Sequence, residues 1–407
     1  MTLFYGWVIV GAGLVVTCIG LGAMMSLGVF LQPISDSMGW SRTGISTAAL
    51  LNFLCMGVGS FFWGALSDRF GTRAVVLSGG VLLGLGFVTA SQASTLGQFQ
   101  VLFGVIVGVA AGSFYAPMTA TTTRWFVRHR SLAVALVSAG TGLGSMTVAP
   151  LARWIISGYD WRTAMLVLGD LAWLLVIPAA LLVKNPPAAS PASVATATAG
   201  TDGRTFTVAQ ALRTPQFAAI ALTHFACCAA HSGPLFHMVS NATDHGVPAM
   251  AAATVLGAAG LASLCGRIIC GLVADRVGAK QTLIAGLALQ AVAVSLYLVT
   301  RDLTTFYALA LVFGFAFGGV MPLYAILVRE YFGQRIMGSV FGAVGLGSTL
   351  GMAVGPWAGG WLYDTSGSYF WLFVGSFGIG LGAVAIAATF RAPRPLLAAA
   401  VPSPSIS

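Results

Sequence analysis

Breaks in hydrophobicity near Leu31, Leu66, Gln92, Thr122, Ser157, Lys184, Ser240, Ala274, Thr300, Val328, Tyr363 and Thr389 divide this chain into twelve apolar stretches. Each approaches the ~20 residues that a helix needs to cross the hydrocarbon core of a bilayer. Charged residues make up only 7% of the 407 positions, against about 25% in a water-soluble domain. Most of the surface must therefore face lipid, and a soluble fold is excluded. The 52 glycines suit such a chain, because small residues let helix backbones approach closely in a bilayer. The first stretch, Trp7 to Leu31, is too long for a signal-peptide core and lacks a basic leader. It reads as a retained first helix.

The formal charge of +9 could point to nucleic acid, but its distribution points elsewhere. With the N-terminus inside, alternate loops hold Arg69 and Arg73; Arg124, Arg128 and Arg130; Lys184, Arg204 and Arg213; Arg276 and Lys280; Arg329 and Arg335. The tail adds Arg391 and Arg394, so 14 of the 19 Lys and Arg fall on one side. Arg42, Arg162 and Arg301 fall on the other, while Arg153 and Arg267 lie within helices. This bias follows the positive-inside rule. It predicts a multi-pass protein of the cell (inner) membrane with both termini cytoplasmic, and it excludes a nucleic-acid partner.

The chain is also a repeat. Gly64, Asp68, Arg69, Gly71 and Arg73 recur in the same spacing as Gly271, Asp275, Arg276, Gly278 and Lys280, at an offset of 207. At an offset of 206, Arg124-Trp125-Phe126 answers Glu330-Tyr331-Phe332, and Pro150 answers Pro356. Between the copies, residues 185–213 are rich in Ala, Pro, Ser, Thr and Gly and read as a linker. The expected organisation is an N-terminal six-helix bundle (1–184), this cytoplasmic linker, a C-terminal six-helix bundle (214–391) and a cytoplasmic tail (392–407). Gly64 and Gly271 would permit close helix contact, Asp68 and Asp275 would cap the following helix, and the neighbouring arginines would bridge to an adjacent helix. A plain structural turn with topogenic charges is the alternative.

The paired motif resembles the signature loop of the major facilitator superfamily. That implies an all-α membrane protein of twelve transmembrane helices in two pseudo-symmetric bundles rocking about a midplane site. Finer features resemble the monocarboxylate transporter branch and its bacterial oxalate/formate antiporter relatives. They are Tyr5-Gly6-Trp7-Val8, the segment Arg124-Trp125-Phe126 through Arg130 to Ala133 followed by Gly140, Gly142 and Gly144, then Pro150-Leu151, Trp161-Arg162, Phe236-His237 through Gly246, and Gly266-Arg267. The resemblance implies a secondary transporter of a small monocarboxylate, lactate- or pyruvate-like, by proton-coupled symport. Its partners would be the anion, H+ and the lipid bilayer, and it would work as a monomer.

Arg267 is the central candidate. It precedes Asp275 by eight residues, about 12 Å along a helix, which puts it near mid-membrane. A charge there is costly and persists with a partner or a function. The guanidinium fork suits a carboxylate, and in the family the matching arginine holds the substrate carboxylate. A structural ion pair is the alternative. Of the intramembrane acids only Asp170 is at hand, and Arg153 is expected to take it. Tyr115, before Pro117, and Tyr324, after Pro322, sit beside prolines in corresponding helices. Either is packing or, as the resemblance implies, a cavity hydroxyl. His237, after a break at Gly233-Pro234, is a candidate for substrate binding and for carrying the coupled proton. His224 and His231 read as packing or cavity histidines.

Two departures matter. Proton-coupled animal carriers of the family have a Lys in helix one and an Asp one turn before the helix-eight Arg, where this chain has Met25 and Ser263. The oxalate antiporters have a Lys in helix eleven, and none stands between Gly338 and Tyr363 here. A single fixed cation suits a monoanion better than a dianion. Anion exchange is the second reading and drug efflux a distant third. The six cysteines fall in helices without a CxxC pair and read as packing residues. No metal, cofactor or enzymatic constellation is expected.

Overall fold

The computed structural model describes residues 4–126, 130–184, 207–333 and 336–391, apart from the side chains of Asp68, Arg130 and Ser131. Among them are twelve helices long and apolar enough to cross a membrane. We number them α1 (Tyr5–Met38), α2 (Arg42–Phe70), α3 (Thr72–Ser91), α4 (Leu96–Trp125), α5 (Arg130–Gly158) and α6 (Trp161–Leu182) in the first half. The second half contains α7 (Pro215–Asp244), α8 (Ala249–Val277), α9 (Ala279–Leu296), α10 (Leu303–Phe332), α11 (Met337–Ser366) and α12 (Phe370–Ala388). Lipid cannot satisfy free backbone groups, so such spans are helical. Their N-termini are finished by side chains: Ser41, Asp160, Thr214 and Asp302 each accept a backbone N–H of the first turn. Of the expected linker, a short helix at Val208–Leu212 is described. Residues 185–206 and the tail from 392 lie outside the described residues.

Two expected boundaries change. α1 continues past Leu31 to Met38, because Gln32, Ser35, Asp36 and Ser37 extend the helix beyond its apolar part rather than forming a loop. α7 is continuous through Pro234. In α4, by contrast, a widened π segment at Gln100–Val107 and a turn before Tyr115 interrupt the α-helix.

The odd-numbered helices run from the end of the molecule that carries the termini to a far end, and the even-numbered ones return. Between the halves α2 packs on α11 and α5 on α8. At the second contact Gly142 faces Gly260. A Cβ on Gly142 would stand 2.8 Å from the Gly260 carbonyl oxygen, so the approach needs glycine.

The repeated motif has a geometric basis. Gly71 and Gly278 take φ of 85° and 101°, and each N–H closes the preceding helix on Ser67 O and Ala274 O at 2.9 Å. L side chains disfavour that backbone conformation, which accounts for a glycine at this place in both copies. Of the motif's other expected roles, capping by Asp68 lies outside the described side chains, and the rest are not seen among the described residues. Gly71 and Gly278 themselves occupy the N-cap positions of α3 and α9, with no side-chain cap bond. Asp275, Arg276 and Arg73 are exposed. Arg69 lies over its neighbour Phe70, and Lys280 Nζ donates to Phe390 O at 2.8 Å, tying α9 to the end of α12. Gly64 and Gly271 mark no close contact here: a Cβ on either would meet no heavy atom within 4 Å.

The far end is where hydrogen bonds between described residues join the halves. Arg42, at the start of α2, makes a two-pronged pair with Asp244 at the end of α7 (2.8 and 2.9 Å) and donates to the Tyr369 hydroxyl at 2.7 Å. Its guanidinium lies 3.7 Å from the Tyr363 ring centre. The Asp364 carboxylate accepts the Arg42 and Thr43 backbone N–H groups and the Thr43 hydroxyl (3.2, 2.7 and 2.5 Å). Thr243 adds a hydrogen bond to Gln32 at 2.6 Å. The pair is largely buried, with side-chain exposures of 10% and 21%. Removing one partner of a buried pair costs about 3–5 kcal/mol, here charged to the closed far end alone.

Asp244→Ala should therefore open this end. With the native cysteines replaced, Ser26→Cys behind the pair should react faster with a membrane-impermeant maleimide added on the far side once Asp244 is gone. An unchanged rate would mean that the pair does not hold the ends together.

Candidate functional site

Arg267 lies in α8 between its two contacts with other helices. On one side Gly260 meets α5, and beside the arginine Gly266 packs against the backbone of Phe315 and Gly319 in α10. The side chain is half-buried. Among the described residues it has no hydrogen-bond or ion-pair partner. Two titratable side chains bear on it electrostatically: Tyr115 from the other half and His231 from α7. The charge thus stands between the two bundles, with donors free for a ligand.

Tyr115 begins the last helical segment of α4. Pro117 has no N–H to give Ser113, two residues before Tyr115, which helps to seat the turn there. The tyrosine is 41% exposed, and its hydroxyl shares a hydrogen with Ser138 Oγ of α5 at 3.0 Å. Of the four expected ligands, Arg267 and Tyr115 are near enough for their charges to interact across the two halves.

The other two expected ligands are placed elsewhere. Tyr324 is fully buried in the core of the second half, stacked on His224 at 4.0 Å with its hydroxyl directed at Thr223 O. The apolar face of α10 carries it inward, away from the gap between the bundles. His237, also fully buried, belongs to the far-end network: Nε2 is 2.8 Å from Pro356 O and Nδ1 is 3.1 Å from the Tyr369 hydroxyl. A carbonyl only accepts, so Nε2 carries the hydrogen and Nδ1 accepts from Tyr369. A directed chain results: Arg42 donates to Tyr369, Tyr369 to His237, and His237 to Pro356. His237 lies six residues beyond His231, about 9 Å further along α7. In this conformation Arg267, Tyr115, Tyr324 and His237 do not form one cluster.

The expected Arg153–Asp170 pair is absent. Asp170 is exposed, Arg153 Nε has no hydrogen-bond partner, and the acid whose charge reaches Arg153 is Asp36. The reason is the extra length of α1, which carries Asp36 towards α5. Sequence reasoning missed Arg42 as a functional residue by treating it as a loop charge. The available signal was its rarity, as one of three basic residues on its side, together with Asp244 in the segment that already resembled the family.

The cysteines are unpaired thiols, and no group of three metal-ligating side chains occurs among the described residues. Met25 faces an enclosed cavity between the halves, and Ser263 is buried against Gly318.

Comparison with known proteins agrees with this geometry. The chain is 29% identical over 372 residues to monocarboxylate transporter 13 of Bos taurus, covering 91% of this chain and 85% of that protein. It is 28% identical to human monocarboxylate transporter 11, covering 90% and 78%. To the uncharacterized MFS-type transporter YhjX of Escherichia coli it is 26% identical, covering 83% and 84%. Among solved structures, a bacterial homolog of the human lysosomal transporter Spinster, in an inward-facing and occupied conformation, superposes with a TM-score of 0.75. That likeness comes at 16% identity and covers 95% of this chain and 97% of that one. The family model of the Major Facilitator Superfamily matches residues 12–274 and 220–405. The chain belongs to the major facilitator superfamily and is a multi-pass membrane transporter.

Proposed function

We propose that this transporter carries a small monocarboxylate, lactate- or pyruvate-like, by proton-coupled symport. One observation carries the reading: the Arg267 guanidinium stands inside a membrane-spanning helix, between the bundles, without a partner among the described residues. An intramembrane cation is expensive, and a carboxylate is the ligand its planar fork fits best. The anion pairs with Arg267, and the Tyr115 hydroxyl adds a hydrogen bond from the opposite half, so binding draws the halves together. Tyr324 joins only if α10 turns in another conformation. The relatives named monocarboxylate transporters support the substrate class.

The far-end lock supports alternating access. With the far end held by Arg42 and Asp244, substrate exchanges at the end that bears the termini. The distribution of basic residues makes that end cytoplasmic and the far end external, in a cell membrane. The reading takes the single chain as the working unit, with residues 185–213 as a tether between bundles.

His237 is the candidate proton site, acting through the lock rather than on the anion. Protonation turns Nδ1 from acceptor to donor, and Tyr369 loses the group to which it donates. The charged groups facing His237 are Arg42 and Asp364, with the Tyr369 hydroxyl in contact. A proton there adds positive charge next to Arg42 and loosens the far end. Anion exchange without protons is favoured by a different feature: on the resemblance to the family, Met25 and Ser263 stand where its proton-coupled carriers have ionic groups. Lactate counter-flow that persists undiminished without a pH gradient would select exchange.

In proteoliposomes, Arg267→Gln should lower labelled lactate uptake at least about thirtyfold, the equivalent of ~2 kcal/mol for a lost charge-assisted pair. Tyr115→Phe should lower it several-fold, and undiminished uptake by Arg267→Gln would refute the assignment. Wild-type uptake should rise as pH falls. His237→Gln, which keeps a donor and an acceptor but does not titrate, should give a flat profile. A wild-type profile in that variant would remove His237 from the coupling.

A further inference from the structure

Directly beneath the far-end lock the two halves enclose a chamber. Its wall takes residues from both halves, among them Met25, Phe53, Ala149, Phe236 and Met352. It has a volume of about 50 Å³, room for three or four water molecules by that measure. The lining is mainly apolar, so the space suits a short branched alkyl group better than water.

Its polar edge is specific. Asn52 of α2 is 2% exposed and lines the chamber. Its amide nitrogen donates to Phe103 O at 3.0 Å, whereas Oδ1 has no hydrogen-bond partner. A buried acceptor without a donor is costly. The arrangement calls for a ligand O–H or N–H. The nearby serines do not compete for it in this conformation: Ser26 donates to Ala23 O, Ser232 to Gly351 O and Ser145 to Thr141 O.

Arg267 and Tyr115 are not among the residues that line the chamber, but it borders neighbours of the site already described. Ser232 lines it, and the adjacent His231 bears on Arg267. Pro356 forms part of the opposite wall, and its carbonyl accepts from His237 in the lock. Side chains on a helix lean towards its N-terminus, which for Arg267 is the direction of the chamber.

We infer that the chamber receives the apolar body of the substrate and that Asn52 Oδ1 accepts its hydroxyl, so that this carrier prefers branched 2-hydroxy acids of five or six carbons to lactate. This rests on the reading of Arg267 as the carboxylate anchor. Lactate held there offers its own hydroxyl to Asn52 but leaves the chamber empty. A longer unsubstituted acid fills the chamber but supplies no donor.

The test is calorimetric titration of the detergent-solubilised full chain with lactate, 4-methylpentanoate and 2-hydroxy-4-methylpentanoate. The branched hydroxy acid should bind about tenfold or more tightly than lactate, from the three added carbons, and roughly fivefold more tightly than 4-methylpentanoate. Asn52→Leu should erase the hydroxyl advantage and keep the alkyl one. Ala149→Leu, which fills the chamber, should weaken the two six-carbon acids and spare lactate. Equal affinities in the wild type overturn the inference without any variant having to fold. A hydroxyl advantage that persists in Asn52→Leu also overturns it. Arg267→Gln separates the two claims: if it binds all three acids in the wild-type order and strength, the anchor reading fails and the chamber stands. If wild type binds none of the three, both fail.

Discussion

A charge inside a bilayer must be paired, and this molecule treats its two interbundle arginines in opposite ways. Arg42 is satisfied on every side by Asp244, Tyr369 and the Tyr363 ring, and its backbone N–H is held by Asp364. Arg267, about mid-span in α8, is left without a partner among the described residues. The first arginine closes one end of the molecule. The second leaves a positive charge on the path between the halves. Everything functional here follows from that contrast, because lipid offers no compensation for either group.

The lock also gives the fold a means of switching. Its members come from the ends of α1, α2, α7, α11 and α12, so opening it breaks polar contacts while leaving each bundle's packing whole. The close Gly142–Gly260 contact lies nearer the middle of the molecule. At the end that bears the termini, Tyr5 donates to Leu182 O and Lys280 to Phe390 O, ties that remain within each half. Gly64 and Gly271, free of neighbours here, stand at the end opposite the lock.

Much of this was legible in the sequence because it follows from local rules. Twelve apolar stretches, basic breaks and a duplicated motif were enough for the helix count and the two bundles. Arg267 stood out because a lone cation in a helix is anomalous wherever that helix packs. The glycines at 71 and 278 could be marked as special, but the left-handed backbone that explains them appears only in the structure. What sequence could not give were contacts between residues far apart in the chain. Arg42 and Asp244 are separated by 202 positions, and neither lies deep within an apolar stretch. The Arg153–Asp170 pairing failed for the same reason: adjacent helices were matched by order, while the extension of α1 to Met38 decided which acid came near. Tyr324 and His237 were assigned by resemblance, and only the rotation of each helix shows which way they face in this conformation.

The central claim is that Arg267 holds a carboxylate. The most direct measurement is the thermal stabilisation of the purified wild-type chain by lactate compared with lactamide, its neutral isostere, alongside Arg267→Gln. The account predicts a rise in unfolding temperature with lactate alone, saturating with concentration and lost in the variant. Equal stabilisation by lactate and lactamide, or an undiminished lactate effect in Arg267→Gln, would contradict it.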